Sequence, residues 1–149
     1  MAENTTDKHN PLVSVKEFPD DGKLQIIHGY GGGQFRIAGQ TCNGAQFVLP
    51  RLTLDWQITS LADVTANAIA EMLAAGKNTG ILEGQDGQMT ELVILGVGSR
   101  ADSHLPELAQ ALKTQNIRLE VMTTAAACRT WNVLLTEGRS AAVGLLPVD

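Results

Sequence analysis

The sequence predicts an α/β fold in which a small antiparallel β-meander precedes an alternating series of helices and strands. From Leu92 onward, short apolar runs alternate with segments of helical periodicity. This pattern predicts parallel strands, joined by right-handed crossovers, with helices on both faces of the sheet. Between Lys23 and Pro50, strand-like segments are separated by glycine-rich turns, as in hairpins. The 149 residues, 44% hydrophobic and 18% charged, are typical of one globular domain, here residues 23–149, which follows a flexible polar arm of residues 1–22.

The best-defined unit is a strand, a helix and a second strand near the carboxyl end of the sequence. Arg118–Val121 is predicted to be a strand, and Thr123 or Thr124 the N-cap of the helix, because a threonine oxygen accepts a hydrogen bond from a first-turn amide. Gly138 suits the left-handed position that ends a helix. The helix carries an apolar stripe of Ala127, Cys128, Trp131, Leu134 and Leu135. The apolar run Ala141–Leu146 does not alternate, which predicts a strand covered on both faces.

The meander is predicted from alternation and turn residues. Its first strand has Leu24, Ile26, His28 and Tyr30 on one face. Its other two strands are predicted at Gln34–Ala38 and Ala45–Leu49, the latter ended by Pro50. Three consecutive glycines precede the second strand. We interpret them as a hairpin turn, because a phosphate-cradling loop requires a helix to follow. Trp56 is predicted to anchor the end of the meander on the body of the domain.

Two further helices and one strand complete the predicted order. Ser60 and Asp63 form a near capping box that opens the first helix, and Gly76 is predicted to close it. Lys77–Thr90 is an unusually long excursion with several turn residues. A strand at Leu92–Leu95 and a helix at Ser103–Gln115 follow.

The loop after that strand resembles a dinucleotide-binding fingerprint. Gly96, Gly98 and Ala101 spell GxGxxA, and Glu120 ends the next strand, where an acid would bind the ribose. In that motif the helix begins at the second glycine, which would place Pro106 in its third turn at a cost of about 3 kcal/mol. Pro106 fits the first turn of a later helix better. We therefore predict a connecting bend here, and no nucleotide or other cofactor.

A crevice is nevertheless predicted where two loops follow adjacent parallel strands. Gly96–Ser99 and Met122–Thr124 are expected to lie side by side at the carboxyl ends of their strands, where open α/β sheets form binding sites. The helix that begins at Thr124 would favour an anion. The candidate pocket consists of Gly96, Gly98, Ser99, Glu120, Met122, Thr123, Thr124 and Cys128. Cys128 shares the apolar stripe with Trp131, and no histidine is placed to activate it. We therefore assign no catalytic residue.

Composition narrows the classes of partner. The net charge of −5, with scattered basic residues, disfavours nucleic acid. No apolar run is long enough to span a bilayer, and the first ten residues lack a secretory signal pattern, so a cytoplasmic protein is expected. In a reducing compartment Cys42 and Cys128 are expected to be thiols. The histidines show no metal-ligand spacing, so no metal site is predicted.

Three segments together carry a resemblance to a known family. They are LGVGS, EVMTTAAACRTWNVLLTEGR and SAAVGLLP. They resemble a family of small α/β proteins, largely of unknown biochemistry, which includes the mitochondrial assembly factor three of respiratory complex I (NADH:ubiquinone oxidoreductase) and uncharacterised bacterial and archaeal proteins. The resemblance covers Leu24 to Pro147 and is strongest from Leu92 onward. It implies a three-layer fold with a central mixed sheet, flanking helices and a small extra antiparallel sheet.

The resemblance brings no catalytic residues, and it implies a non-catalytic binding or assembly module with a protein partner. The family suggests that the protein docks peripherally on a respiratory membrane complex. Homo-oligomers are compatible with this role. The long Lys77–Thr90 excursion and the acidic arm depart from the usual family pattern. The alternative is a small-molecule (anion) or enzyme site in the predicted crevice.

Overall fold

The computed structural model describes residues 23–78, 90–99 and 105–149, which form two β-sheets and three α-helices. The small sheet consists of β1 (Ile27–Gly31), β2 (Gln34–Ile37) and β3 (Gln40–Asn43). The large sheet consists of β4 (Gln46–Leu49), β5 (Leu52–Asp55), β6 (Leu92–Gly96), β7 (Arg118–Met122) and β8 (Ala141–Leu145). The helices are α1 (Ala66–Asn78), α2 (Pro106–Lys113) and α3 (Thr124–Thr136).

The large sheet is mixed, with strand order β5-β4-β8-β6-β7. β6 pairs with β7 and with β8 in parallel, which confirms the three parallel strands predicted for the second part of the chain. β4 pairs antiparallel with both β5 and β8. β8 therefore joins an antiparallel half of the sheet to a parallel half.

The two faces of the large sheet are covered differently, and three layers result. Ile94 and Val143 belong to a buried cluster with Trp131 of α3 and Phe35 of the small sheet. Val93 and Leu95 point to the opposite face of the sheet. There they pack with Ile69 of α1 and the fully buried Leu112 of α2. This arrangement confirms the predicted α/β fold class and the separate antiparallel sheet.

The strands that form the meander differ from the predicted ones. Its third strand is β3, where no strand was predicted and where Cys42 is the buried residue. Ala45–Leu49, predicted as that third strand, instead supplies β4 of the large sheet. All four residues of β4 are buried, as expected for a strand covered on both faces. Pro50 and Arg51 then form a two-residue turn into β5, a strand that was not predicted.

The first strand also begins later, and its buried face is the opposite of the predicted one. β1 starts at Ile27, and the buried residues are Gln25 and Ile27. Leu24 is 37% exposed and Tyr30 44% exposed. A register shift between Ile27 and Gly29 interrupts the pairing with β2. The predicted face is already wrong before this shift, because the inward positions include the polar Gln25, whereas the apolar Leu24 is exposed and Ile26 is only half-buried.

The first two helices begin later than predicted. Ser60 and Asp63 do form a capping box, but it caps a single 3₁₀ turn. α1 begins at Ala66 and continues beyond Gly76, so Gly76 does not end it. α2 begins at Pro106, which confirms that this proline lies in a first turn. Residues 79–89, which hold most of the predicted excursion, lie outside the described residues, as do residues 1–22 and 100–104, including Ser103 and His104.

α3 confirms the predicted strand–helix–strand unit. The Thr123 hydroxyl oxygen accepts a hydrogen bond from the Ala126 amide at 3.1 Å, so Thr123 is the N-cap. Gly138, with a φ of +71°, follows the helix end in the left-handed conformation. The stripe residues Ala127, Cys128, Trp131 and Leu135 are all buried.

Polar side chains fasten the beginning of the small sheet to α3. The Asn132 side chain accepts from the Ile27 amide at 2.9 Å and donates to the Ile27 carbonyl at 2.8 Å, as a paired strand would. The Trp131 indole donates to the Gln25 carbonyl at 2.9 Å, and the Gln25 side chain accepts from the Thr53 hydroxyl at 2.7 Å. Gln25 therefore links β5, α3 and the approach to β1. These links were not predicted, although they position the small sheet.

Candidate functional site at the carboxyl ends of the parallel strands

The two loops predicted to form a crevice lie against each other. The Val97 amide donates to the Met122 carbonyl at 2.9 Å, which joins the end of β7 to the loop after β6. The Thr124 amide donates to the Gly98 carbonyl at 2.8 Å. Gly98 has a φ of +98°, a conformation that glycine adopts without strain. The adjacency of the loops thus follows from the parallel strand order, while their role as a binding site stays a prediction.

Thr124 occupies the centre of this junction. Its side chain is buried, and its hydroxyl donates to the Leu146 carbonyl at 2.6 Å and accepts from the Gly98 amide at 2.9 Å. The Leu146 amide donates to the Gly96 carbonyl at 2.9 Å, which joins the residue after β8 to the end of β6. The hydroxyl best placed to meet a ligand is therefore committed to the backbone of the neighbouring loops. Both of its hydrogen-bonding roles are used, and its burial would make their loss costly.

Gly96 permits a close approach of α3 to the end of β6. A Cβ atom at this position would lie 3.0 Å from the Ala127 Cβ and 3.0 Å from the Thr124 Cα. The glycine therefore serves helix–strand packing, one of the roles that glycine has in the dinucleotide fingerprint, without the helix that cradles a pyrophosphate. Gly98 and Ser99 are not helical, so no helix begins at the second glycine as the fingerprint requires.

The first-turn amides of α3 are largely engaged within the protein. The Ala126 amide donates to the Thr123 hydroxyl, and the Ala127 amide donates to the Thr123 carbonyl at 2.8 Å. Together with the bond from Thr124 to Gly98, these contacts use most of the donors that would otherwise attract an anion. Ser99 is exposed, whereas Met122 is half-buried and packs against the core.

Glu120 and Cys128 are not poised for chemistry. The Glu120 carboxylate accepts from the Arg118 guanidinium at 2.6 and 3.1 Å, an ion pair at the surface of β7. Burial raises the pKa of the Cys128 thiol to about 12, although the nearby Arg129 charge acts in the opposite direction. The thiol is therefore protonated near neutral pH and behaves as a small apolar side chain. The assignment of no catalytic residue at this site stays a prediction.

Gln46, a buried residue that was not predicted as part of the site, lies level with Gly96 across the neighbouring strands of the large sheet. Gln46 pairs with Leu145, which pairs with Gly96. The Gln46 amide nitrogen donates to the Asp55 carboxylate at 2.9 Å and to the Asn43 carbonyl at 3.0 Å. A glutamine between Ala45 and Phe47, in an otherwise apolar run, was the available signal for a buried polar residue. Its contacts fix the end of β4 beside the junction.

Neither a metal centre nor a membrane-spanning helix emerges within the part of the chain that the structure describes. No three His, Cys, Asp or Glu side chains there are grouped so that they could hold a metal ion. None of the described helices combines the length and apolar character needed to cross a bilayer.

Comparison with known proteins places this architecture in a family. The family model described as "Protein of unknown function (DUF498/DUF598)" matches residues 27–146. A zebrafish (Danio rerio) protein named NADH dehydrogenase (ubiquinone) 1 alpha subcomplex assembly factor 3 is 33% identical over 122 residues, 82% of this chain and 64% of its own length. The chain thus spans somewhat less than two thirds of that relative.

Bacterial proteins are similar over a larger share of their own length. An uncharacterised protein of Rhodobacter capsulatus is 34% identical over 123 residues, which cover 82% of this chain and 84% of that protein. A solved structure described as an outer membrane protein from Bartonella henselae superimposes with a TM-score of 0.67 at 29% identity. It covers 87% of this chain and 99% of that one. The chain therefore belongs to the DUF498/DUF598 family, whose function is not assigned.

Proposed function

We propose that this protein is a non-catalytic binding module of the assembly-factor type, which docks on a protein partner. The observation that carries the proposal is the Thr124 junction, where the hydroxyl central to the predicted crevice bonds to the Gly98 and Leu146 backbone. A crevice filled by such bonds offers a small molecule few polar groups. Protein docking, in contrast, requires only a complementary outer surface.

The proposed partner belongs to a respiratory membrane complex. The zebrafish relative is named as an assembly factor of NADH dehydrogenase, and the match covers 82% of this chain. We infer that the partner is a subunit or an assembly intermediate of a respiratory membrane complex. In this proposal the protein binds that complex peripherally, from the cytoplasm.

Exposed apolar side chains on one side of the fold support a docking surface there. Among the described residues, the large hydrophobic side chains that remain exposed are Leu24 (37%), Tyr30 (44%) and Val133 (55%). Tyr30 lies on β1 and Val133 on α3, and the Asn132–Ile27 hydrogen bonds join these two elements. Exposed apolar groups that share one side of a protein are characteristic of interaction surfaces.

Affinity purification tests this proposal. A tagged copy of the chain would be expressed in cells that contain a respiratory NADH dehydrogenase, crosslinked and recovered, and its partners identified by mass spectrometry. We expect enrichment of subunits of that complex. Val133→Glu should lower their recovery about tenfold, the effect of losing one well-packed contact.

Gln110→Glu is the matched control, because it adds the same charge to an exposed position of α2 on the other side of the large sheet. It should leave recovery unchanged. Absence of any respiratory subunit from the crosslinked material would reject the proposed partner. Equal losses with the two variants would reject the proposed surface.

The alternative prediction, an anion or enzyme site at the junction, has its own test. Inorganic phosphate would be titrated while the unfolding temperature of the protein is followed, since a ligand that binds the native state raises it. A rise that Ser99→Ala abolishes would favour the anion site. An unchanged unfolding temperature is expected if the junction is a packed structural element.

A further inference from the structure

β7 is an open edge of the large sheet within the described residues. Its sheet neighbour there is β6, on one side. Val93–Gly96 of β6 are buried, whereas every residue of β7 is half-buried or exposed. An open edge of this kind offers unpaired backbone groups to another strand, and proteins commonly cover such edges or use them for association.

The hydrogen bonds of β7 show which of its backbone groups face the free edge. The Arg118 amide donates to the Glu91 carbonyl at 2.9 Å, and the Met122 carbonyl accepts from the Val97 amide at 2.9 Å. Both residues therefore direct their backbone groups toward β6. Because direction alternates along a strand, Leu119 and Val121 direct theirs toward the free edge.

The charges of β7 are self-complementary about Leu119. Arg118 and Glu120 project from the same face of the strand and pair with each other at 2.6 Å, with side chains 73% and 40% exposed. If a second copy paired antiparallel with Leu119 opposite Leu119, each Arg118 would face the other copy's Glu120. The two leucines would exchange hydrogen bonds. The two charged pairs would then occupy the non-hydrogen-bonded positions, where opposing side chains are closest.

Other antiparallel registers lack this complementarity. Centring the pair on Glu120 would place two carboxylates opposite each other, which is unfavourable. Centring it on Val121 would place Glu120 opposite Met122 and leave the charges without opposite partners. The charge pattern of the edge therefore favours one register.

We propose that two copies of this chain associate through β7, antiparallel and centred on Leu119, so that their large sheets become continuous. The occupant of the edge is a second copy, because the sequence Arg118-Leu119-Glu120 is its own electrostatic complement. A five-residue strand buries little surface, so the dimer is weak and forms reversibly with concentration. This inference goes beyond the proposed docking function and does not depend on it.

Charge reversal and mixing test the dimer. Sedimentation equilibrium over a wide range of concentrations would give the dissociation constant of the unmodified protein and of two variants. Arg118→Glu and Glu120→Arg each convert both cross-strand attractions into repulsions, and each alone should weaken association about tenfold or more. An equimolar mixture of the two variants should dimerise again, because an acidic strand then faces a basic one.

The mixing result separates the dimer from effects within one chain. Each variant loses its internal Arg118–Glu120 pair, and mixing cannot restore that pair. Glu137→Arg and Arg139→Glu serve as controls, because these residues form another exposed ion pair two positions apart, at 4.0 Å. Their variants should dimerise like the unmodified protein, and unfolding midpoints would establish that all the proteins are folded.

Three outcomes would overturn the inference. The unmodified chain could remain monomeric at every concentration, the mixed variants could fail to associate, or the control variants could weaken the dimer as much as the β7 variants. None of these outcomes depends on recovery of a respiratory partner.

Discussion

Trp56 fills the space that a side chain at Gly144 would need. A Cβ atom on Gly144 would lie 2.5 Å from Cζ3 of the indole and 2.9 Å from Cη2. Trp56 also meets Phe47 edge to face, with ring centroids 5.2 Å apart. Trp56 was predicted to anchor the end of the meander, but it follows β5 and packs against β4 and β8 within the large sheet, where position 144 has room only for a glycine.

Gly144→Ala should destabilise the protein by about 1–3 kcal/mol, because the tightly packed indole has to move. Urea unfolding would measure the loss. Gly29→Ala is the control, since nothing lies within 4 Å of a Cβ atom there. The combination of Gly144→Ala with Trp56→Phe should cost less than the sum of the two single changes. Strict additivity would show that the contact is not the cause.

Thr124→Val should cost about 1–3 kcal/mol of unfolding free energy, because it leaves the Gly98 amide and the Leu146 carbonyl without their partner. Thr124→Ser keeps the hydroxyl and should be milder. Hydrogen exchange should accelerate at the Gly98 amide in the valine variant. If serine were more damaging than valine, packing of the methyl group rather than hydrogen bonding would be the dominant effect.

Asn132→Leu should loosen the small sheet, because both of its hydrogen bonds to Ile27 are lost. We expect a loss of about 1–3 kcal/mol and faster hydrogen exchange at the Ile27 amide. Val133→Ala, at the neighbouring exposed position, should change stability by less than about 0.5 kcal/mol. If the Ile27 amide exchanged no faster in the leucine variant, Asn132 would not be what holds the start of the small sheet against α3.

The Cys128 thiol should be inert in the native state and should make stability depend on pH in the alkaline range. Burial raises its pKa from the ordinary value of 9.0 to about 12. Because the unfolded state then ionises first, unfolding free energy is unaffected by this thiol below about pH 9 and falls as pH rises toward 12. Cys128→Ala should remove that part of the decline.

Thiol labelling gives an independent measurement. In a Cys42→Ala background, where Cys128 is the sole cysteine of the chain, a disulfide reagent at pH 8 should react much more slowly with native than with denatured protein. Equal rates would mean that the thiol is accessible, and its assignment to the core would be wrong.

The second part of the fold was predictable because its signals are local. β6 and β8 are apolar runs, Thr123 caps α3 through its own side chain, and Pro106 marks a helix start. The first part was less predictable because its pairings are distant in sequence. β4 joins the large sheet through β8, almost a hundred residues later, and nothing within β4 itself identifies that partner.

The candidate site was predictable in position but not in character. Parallel strand order brings Gly98 next to Thr124, and that adjacency could be predicted. Whether the Thr124 hydroxyl faces a crevice or the Leu146 carbonyl depends on how β8 ends, which no local pattern encodes. Gln25 and Asn132 were missed for the same reason, since their partners are brought together only by the packed layers.

The position of β8 has a consequence for how the chain acquires its structure. The strand is synthesised after the other four strands of the large sheet, yet it lies between β4 and β6 and joins the β4–β5 hairpin to the β6–β7 pair. Until β8 has been translated, the β4–β5 hairpin and the β6–β7 pair each expose the edge that β8 later covers. Newly made chains should therefore depend on chaperones until β8 has been translated, and a stop codon ahead of Ala141 should yield aggregates rather than a shortened working protein.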